Sequence, residues 1–176
     1  MTDVHSPDVR RKNMRAIRAT NTKPEIALRK ALHKKGLRFS CNKASLPGKP
    51  DLWFRKYHAA IFVNGCFWHG HECPLFKWPK TRKEFWYEKV STSQKRDRKK
   101  VTDLLDLGIR VLIVWECALK HKSHAETERV ADEAREWLLN SELSRNFSII
   151  DKEGISDVRD VDGYFRRCGR KVPEGS

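Results

Sequence analysis

The sequence predicts an α/β or α+β fold in which helices flank a central sheet. Strand-like and helix-like patterns alternate along the chain, as they do in layered folds of this kind. Ile109 to Trp115 is a near-continuous apolar run rich in β-branched residues, which is typical of a strand buried on both faces. With 176 residues, the chain is long enough to bury a core and most simply forms one domain.

The elements predicted first along the chain lead to Asp51. Residues 5–20 are polar and basic, and predict either a weakly packed helix or an arm that orders on a partner. Thr22 to Glu25 has the pattern of a capped helix start, and Gly36 ends that helix. A strand can begin at residues 37–39. A turn-rich loop at residues 45–50 then delivers Asp51 to the head of a strand, which a short turn joins to a partner strand at residues 57–63.

The later elements follow the same alternation. A long helix is predicted from Thr81 to Gly108, a buried strand over residues 109–115, and an amphipathic helix over residues 125–139. Residues 147–150 can add an edge strand. From residue 151 the chain is polar with little periodicity, so we expect a single domain over residues 1–150, with a basic arm at about 1–20, and a loosely held tail over 151–176.

The charge of the chain is unevenly distributed. The net charge is +14, and residues 1–56 hold 15 Lys/Arg against 4 Asp/Glu. Residues 77–100 hold 10 against 3, whereas residues 101–176 hold 12 against 15. A generally basic surface is one explanation, but this asymmetry favours a polyanion partner, most simply nucleic acid.

Targeting signals are not evident in the sequence. No apolar run approaches the roughly 20 residues of a membrane helix, and the first residues lack the apolar core of a signal peptide. We therefore expect a cytoplasmic protein with no membrane partner. Five cysteines in a reducing compartment favour metal binding over disulfides, although Cys41 and Cys168 have no evident role.

The stretch from Ile61 to Cys73, IFVNGCFWHGHEC, is the most informative in the chain. Its Cys66, His71 and Cys73 are typical zinc ligands, and tetrahedral zinc needs a fourth. Cys117 is the best candidate because it follows the apolar run at 109–115, and neighbouring strands would bring the two ends together. The sequence thus predicts a structural Cys3His zinc site, against the alternative of buried free cysteines and core histidines.

A second metal site is predicted around Asp51. Pro50-Asp51 at a strand start is how many metal-dependent nucleases present their first carboxylate to Mg²⁺. The paired strand carries Phe62-Val63-Asn64 instead of a Glu-x-Lys, so the Val63 carbonyl would have to be the other protein ligand. His69 is not needed for zinc and can act as a general acid or base beside this site.

Several blocks in order resemble the very short patch repair endonucleases. They are MRAI, ASLPGKPD, NGCFWHGHEC, TRKEFW and RVLIVWECAL, and they span about residues 4–137. The resemblance implies a restriction-endonuclease-like α/β fold with a mixed central sheet and one structural zinc. It also implies Mg²⁺-dependent nicking on the 5′ side of the thymine in T:G mismatches, which arise by deamination of 5-methylcytosine. The partners implied are mismatched double-stranded DNA and, functionally, a cytosine-5 DNA methyltransferase; nothing suggests a stable dimer.

The resemblance also implies roles for individual residues. Asp51 and the Val63 carbonyl would bind Mg²⁺, His69 would be the catalytic histidine, and Glu25 would lie in the outer shell of the metal, although helix capping explains Glu25 equally well. Asp97 would orient His69 or form a salt bridge within its helix. Four residues are implied to wedge into DNA beside the mismatch: Met14, Phe67, Trp68 and Trp86. For the three aromatic residues, packing in the core is the alternative.

One position departs from the family pattern. Many members carry a second active-site histidine where this chain has Asn64, which can hydrogen-bond a phosphate or water but cannot carry a proton to a leaving group. Two other functions remain open: a non-catalytic zinc DNA-binding module that tolerates loss of Asp51 and His69, and a nuclease of the same fold without mismatch preference, for which the aromatic residues would be dispensable.

Overall fold

A computed structural model of the chain describes Val9 and residues 20–120, 123–140 and 146–167. The described strands are β1 (Leu52–Phe54), β2 (Ala59–Asn64), β3 (Arg110–Trp115), β4 (Phe147–Asp151) and β5 (Gly154–Asp157). The helices are α1 (Lys23–Lys34), α2 (Cys66–His69), α3 (Lys83–Asp106), α4 (Glu116–Leu119), α5 (His124–Leu139) and α6 (Val161–Arg167).

The five strands form one mixed sheet in the order β1-β2-β3-β4-β5. The neighbours β2, β3 and β4 are parallel, while β1 and β5 run antiparallel to their neighbours at the two edges. Parallel neighbours need crossover connections, which α2 and α3 supply between β2 and β3, and α4 and α5 between β3 and β4. The predicted sheet with flanking helices is confirmed, and its parallel centre makes the fold α/β.

Alternation along β3 divides the core into two layers, one on each face of the sheet. Leu112 and Val114 pack with α1 and α5 on one face. Val111, Ile113 and Trp115 pack with α3 and α6 on the other. Every residue of β3 is buried, which explains why its sequence is continuously apolar after Arg110.

Two polar contacts stabilise the helices beside the sheet. Thr22 caps α1 by accepting a hydrogen bond from the Glu25 N–H at 3.5 Å, as the sequence predicted. Such caps contribute about 1 kcal/mol. Arg110, at the start of β3, donates to the carbonyls of Trp137 and Leu138 at 2.9 Å each, and so binds the C-terminal end of α5.

The polar tail expected from residue 151 is wrong for residues 151–165. β5 pairs with β4, so β4 is not the edge strand that we expected. In α6, Tyr164 and Phe165 are buried, and Tyr164 Oη accepts a hydrogen bond from Trp115 Nε1 at 2.9 Å. The apolar residues Val158, Val161 and Tyr164 recur every three positions, and this helical spacing was the missed signal.

Smaller differences occur before β1. Residues 37–39 do not form a strand; instead, Ser40 makes an isolated bridge to Trp53. Apart from Val9, the predicted N-terminal arm lies outside the described residues, as do Met14 and Cys168. Among the helices that the structure describes, none has the length and apolar character needed to cross a membrane.

Candidate active site and metal centre

The carboxyl end of β2 brings the two predicted magnesium ligands together. Asp51 directly precedes β1, and its Oδ2 accepts a hydrogen bond from the Val63 N–H at 2.8 Å. The antiparallel register explains this contact, because Leu52 lies opposite Ile61 and Asp51 therefore reaches the end of β2. The carboxylate and the Val63 backbone are adjacent as a result.

Burial dominates the electrostatics of Asp51. Burial first and the charge of Glu25 second raise the pKa of Asp51 to about 6, although the Val63 hydrogen bond and the charges of Lys100 and Arg29 act to lower it. Within the described part of the chain, the Val63 N–H is the only hydrogen-bond donor to this carboxylate. A half-buried carboxylate with unused acceptor capacity fits a hard divalent cation, for which Asp51 and the Val63 carbonyl would be ligands.

The raised pKa predicts that Mg²⁺ affinity falls on acidification. The pKa of Asp51 in the folded protein is about 6, above its ordinary value of 3.8. The Asp51 carboxylate therefore takes up a proton as the pH falls through about 6. Proton and cation compete for the carboxylate, so affinity should fall about tenfold for each pH unit below about 6 and level off above it. Calorimetric titration with Mg²⁺ between about pH 5 and 8 measures this. Equal affinity across that range would contradict the assignment, and Asp51→Asn should remove the dependence.

Glu25 is buried at the start of α1, close to Asp51. Its Oε1 accepts from Thr22 Oγ1 and its Oε2 from the Asn21 N–H, both at 2.8 Å. Arg29 Nη2 lies 3.1 Å from Glu25 Oε2 and 3.4 Å from the Asp51 carbonyl oxygen. The capping contacts expected of Glu25 are therefore present, and Arg29 connects Glu25 to Asp51. Its outer-shell role stays a prediction.

His69 and Asp97 form a close pair across α2 and α3. His69 Nδ1 contacts Asp97 Oδ2, while Lys100 Nζ lies 2.7 Å from Asp97 Oδ1. Burial would raise the pKa of Asp97, but the His69 hydrogen bond and the charge of Lys100 outweigh it, so the pKa is lowered and the carboxylate is ionised. The arrangement includes both contacts proposed for Asp97 from the sequence, namely the one to His69 and the salt bridge within its own helix.

Close packing of α2 on α3 depends on Gly70. This residue ends α2 with φ +62, a conformation that glycine adopts readily. A Cβ on Gly70 would lie 2.7 Å from both Val90 and Gln94 of α3. Gln94 also donates to the His69 carbonyl at 3.2 Å, so the position of His69 is set by its backbone as well as by Asp97.

Asn64 is the last residue of β2 and follows Val63 directly. It is 4% exposed, and its Nδ2 has no hydrogen-bond partner among the described residues. An unsatisfied buried amide donor destabilises the fold by about 1–3 kcal/mol. A water or an oxygen of a bound substrate would satisfy it, which agrees with the hydrogen-bonding role considered for Asn64 and with its lack of a titratable proton.

The four predicted zinc ligands meet at one point. The ligand atoms of Cys66, His71, Cys73 and Cys117 all lie within 4.8 Å of one another. His71 Nδ1 is 3.6 Å from Cys66 Sγ and 3.7 Å from Cys117 Sγ. Tetrahedral zinc with ordinary bond lengths separates such N and S atoms by about 3.6 Å. The ligands meet because the parallel pairing of β2 and β3 brings α2 and α4 together. The distances and ligand types of the cluster fit a structural zinc.

The thiols of the cluster shift one another's pKa values in opposite directions. The hydrogen bond to Cys117, together with burial, raises the pKa of Cys66, while the same contact lowers the pKa of Cys117 to about 4. Burial also raises the pKa of Cys73. Three thiolates cannot be close together without a cation, and a dication would stabilise all of them.

His71 is held in place by residues outside the cluster. Its ring stacks on Trp115 with centroids 4.1 Å apart, and its Nε2 faces Asp151 Oδ2 at 3.7 Å. A carboxylate behind a metal-binding imidazole orients the ring. Asp151 was expected to begin the tail; instead it supports the predicted zinc site from the end of β4.

The predicted wedge residues form one aromatic cluster. The rings of Phe67, Trp68 and Trp86 have centroids 5.2 to 6.2 Å apart, and Lys89 Nζ is 5.9 Å from the Trp68 ring. All three residues are half-buried and lie outside both core layers. Phe85, with 42% of its surface exposed, extends the cluster toward solvent. Core packing therefore does not account for these aromatics, and insertion into DNA stays a prediction.

Comparisons with known proteins identify the family. A family model described as DNA mismatch endonuclease Vsr matches residues 2–75. The DNA mismatch endonuclease Vsr of Escherichia coli (strain K12) is 45% identical over 155 residues, which cover 88% of this chain and 97% of that protein. The chain belongs to the Vsr family.

Other relatives of this Vsr chain are nicking enzymes by name. The type II nicking enzyme V.XorIIP of Xanthomonas oryzae pv. oryzae (strain KACC10331 / KXO85) is 44% identical over 119 residues, 68% of this chain and 88% of that protein. The type II nicking enzyme V.NmeAIP of Neisseria meningitidis serogroup A / serotype 4A (strain DSM 15465 / Z2491) is 41% identical over 123 residues, which cover 70% of this chain and 88% of that protein. These relatives extend the similarity well beyond residue 75.

Sequence reasoning missed four residues that contact the candidate site residues: Arg29, Lys100, Trp115 and Asp151. Lys100 lies in a basic run, where the sequence does not distinguish one half-buried lysine from exposed ones. A partial signal existed for Arg29, since it lies one helical turn after Glu25. Trp115 and Asp151 contact His71 only because β3 and β4 are neighbours in the sheet.

Proposed function

We propose that this protein is a Mg²⁺-dependent endonuclease of very short patch repair, which nicks DNA 5′ of the thymine in T:G mismatches left by deamination of 5-methylcytosine. Family membership makes the chain a DNA endonuclease of the mismatch class. The observation that carries the finer proposal is the juxtaposition, at the end of β2, of the Asp51–Val63 pair with half-buried aromatics on the adjoining α2. A restriction-endonuclease-like fold and a structural zinc are part of the same proposal.

The chain's own residues have distinct parts in this reaction. Asp51 and the Val63 carbonyl would hold Mg²⁺, which when bound neutralises charge on the scissile phosphate. Asp97 engages Nδ1 of His69, which leaves Nε2 as the nitrogen that can take or give a proton. Asn64 would donate a hydrogen bond to a phosphate oxygen or a water. Basic residues before residue 57 and in α3 would contact the backbone of DNA.

The decisive experiment compares nicking of a T:G duplex with that of a matched duplex, with and without Mg²⁺. We expect strand-specific nicking of the T:G duplex only when Mg²⁺ is present. Equal nicking of both duplexes would point to a nuclease without mismatch preference. Zinc-dependent binding without nicking would point to a DNA-binding module. Because T:G mismatches of this origin arise at methylated cytosines, the flanking bases should match those of a cytosine-5 DNA methyltransferase in the host.

Trp68→Ala should reduce mismatch preference more than general DNA binding. Inserting aromatic rings beside a weakly stacked T:G pair disrupts less stacking than inserting them into matched DNA. A contribution of about 1–3 kcal/mol to discrimination is expected. Binding to T:G and T:A duplexes should be measured at one salt concentration, after confirming that the variant folds and keeps its metal. Equal weakening on both duplexes would exclude the wedge role, and Trp68→Phe should retain part of the preference.

A further inference from the structure

We propose that Lys100 is a positioning residue that holds the two sides of the active site together. Its ammonium fixes Asp97 against His69, and its aliphatic stem supports the loop that delivers Asp51. The inference rests on the nuclease function proposed above. It adds Lys100, which contacts both the His69–Asp97 pair and the loop before Asp51.

The ammonium contact is local and sheltered. Lys100 lies one turn after Asp97 on α3, with its Nζ 2.7 Å from Asp97 Oδ1. The other oxygen, Oδ2, is engaged by His69 Nδ1. Side-chain exposure is only 14% for Lys100 and 4% for Asp97. Both oxygens of Asp97 are thus occupied, and the Lys100 contact leaves Oδ2 to His69.

The stem of Lys100 supports the loop before Asp51. A Cβ on Gly48 would lie 2.7 Å from Lys100 Cβ and 2.9 Å from its Cδ, so the loop backbone rests directly on the lysine stem. Gly48 also has φ +69, which other residues rarely adopt. The ammonium lies 4.2 Å from the ring centroid of Phe62 in β2. One side chain therefore contacts α3, β2 and the loop that leads into Asp51.

The charge balance of the site explains why this lysine is half-buried. Three carboxylates, those of Glu25, Asp51 and Asp97, lie around the site, while the last residues of β2 provide no cation. A buried carboxylate needs a charged partner or several donors. Lys100 is such a partner for Asp97, because its ammonium lies 2.7 Å from Asp97 Oδ1.

A second lysine on α3 is a matched control. Lys99 also pairs with an acid on its own helix, Asp103, but with side-chain exposures of 76% and 37%. Exposed helix pairs of this kind contribute little. Lys99→Met and Lys100→Met change the net charge equally, one position apart, so general effects of charge on DNA binding should be similar in both.

The test is single-turnover nicking of a T:G duplex by these variants, with DNA affinity measured separately at the same salt concentration. Lys100→Met should lower the nicking rate about 10- to 100-fold, the range seen when residues behind a metal or catalytic group are removed. Its Kd for DNA should match that of Lys99→Met within about twofold. Lys100→Arg should recover most of the rate. With protein in excess of the Kd for DNA, Lys99→Met should nick about 10- to 100-fold faster than Lys100→Met.

Two further measurements separate positioning from mere stability. The effects of Lys100→Met and Asp97→Asn on the rate should be strongly non-additive, because both disturb the same contact. Nitrogen NMR of labelled His69 should show a changed Nδ1 environment in Lys100→Met but not in Lys99→Met. If Lys100→Met does not fold, Lys100→Gln replaces it with the same expectations.

Several outcomes would overturn the proposal. A wild-type rate in Lys100→Met would do so, as would a rate loss explained entirely by weaker DNA binding, or additive effects with Asp97→Asn. If the wild-type protein nicks no duplex, the proposed function fails; the His69 signal then still tests Lys100, because an unchanged Nδ1 environment would refute its positioning role independently.

Discussion

Asp51→Ala is expected to abolish nicking of a T:G duplex and to leave DNA affinity nearly unchanged. Asp51 is the carboxylate that the structure joins to the Val63 backbone, and its burial raises its pKa to about 6, so a bound cation would be its main source of stabilisation. Losing the only carboxylate ligand should lower the rate at least about 10³-fold, equivalent to about 4 kcal/mol of transition-state stabilisation. Affinity comes mostly from Lys and Arg contacts to phosphates and should persist.

The measurement is single-turnover nicking alongside a binding titration at fixed salt. Asp106→Ala, which removes an exposed acid at the end of α3, is the matched control and should nick normally. His69→Ala should also reduce nicking severely, whereas Asn64→Ala should reduce it less than either. Substantial nicking by Asp51→Ala would refute the assignment of this residue to the metal.

Cys117→Ser should lose zinc and unfold the protein under conditions where the wild type is stable. The ligand atoms of the cluster lie within 4.8 Å of one another and derive from two crossover segments, α2 and α4 with the loop after α2. Zinc binding to structural sites supplies apparent free energies of about 10–16 kcal/mol, comparable with the total stability of a domain. Without the metal, Cys66 and Cys73 would resist ionisation, because the Cys117 contact and burial raise the pKa of Cys66 and burial raises the pKa of Cys73.

Metal analysis of the purified protein and thermal melting test this expectation. We expect one zinc per chain in the wild type, and a strong loss of melting temperature on chelation. Cys41→Ser removes an exposed cysteine outside the cluster and should change neither quantity. Full zinc content and normal melting of Cys117→Ser would show that the fourth ligand has been misassigned.

Local patterns were sufficient to predict much of the architecture. The capped start of α1, the continuous apolar run of β3 and the acidic amphipathic helix α5 each have a sequence signal that depends only on near neighbours. The clustering of four Cys and His side chains was also predictable, because Cys66, His71 and Cys73 lie close in sequence and Cys117 follows a strand. Compositional asymmetry indicated the polyanion partner without any structural information.

Patterns failed where a residue's environment is created by distant segments. The stretch after residue 151 is polar, yet Tyr164 and Phe165 are buried because β5 pairs with β4 and places α6 against the sheet. Residues 37–39 have strand-like side chains but do not pair, because β1 ends at Phe54, one residue after the bridge between Ser40 and Trp53. Propensity is overridden by pairing and packing in both cases.

In the candidate site, too, local sequence indicated some residues, whereas contacts between distant segments did not show in the sequence. Residue types and spacing in the sequence pointed to Asp51, His69 and the four proposed zinc ligands, since chemistry restricts such positions to a few side chains. Only the tertiary structure joins Asp51 to Val63, places Asp151 and Trp115 around His71, and inserts the Lys100 stem beneath Gly48. The physical reason is that burial and electrostatic coupling act through space: a lysine in a basic helix is like its neighbours in sequence, and differs from them only once packing removes it from water.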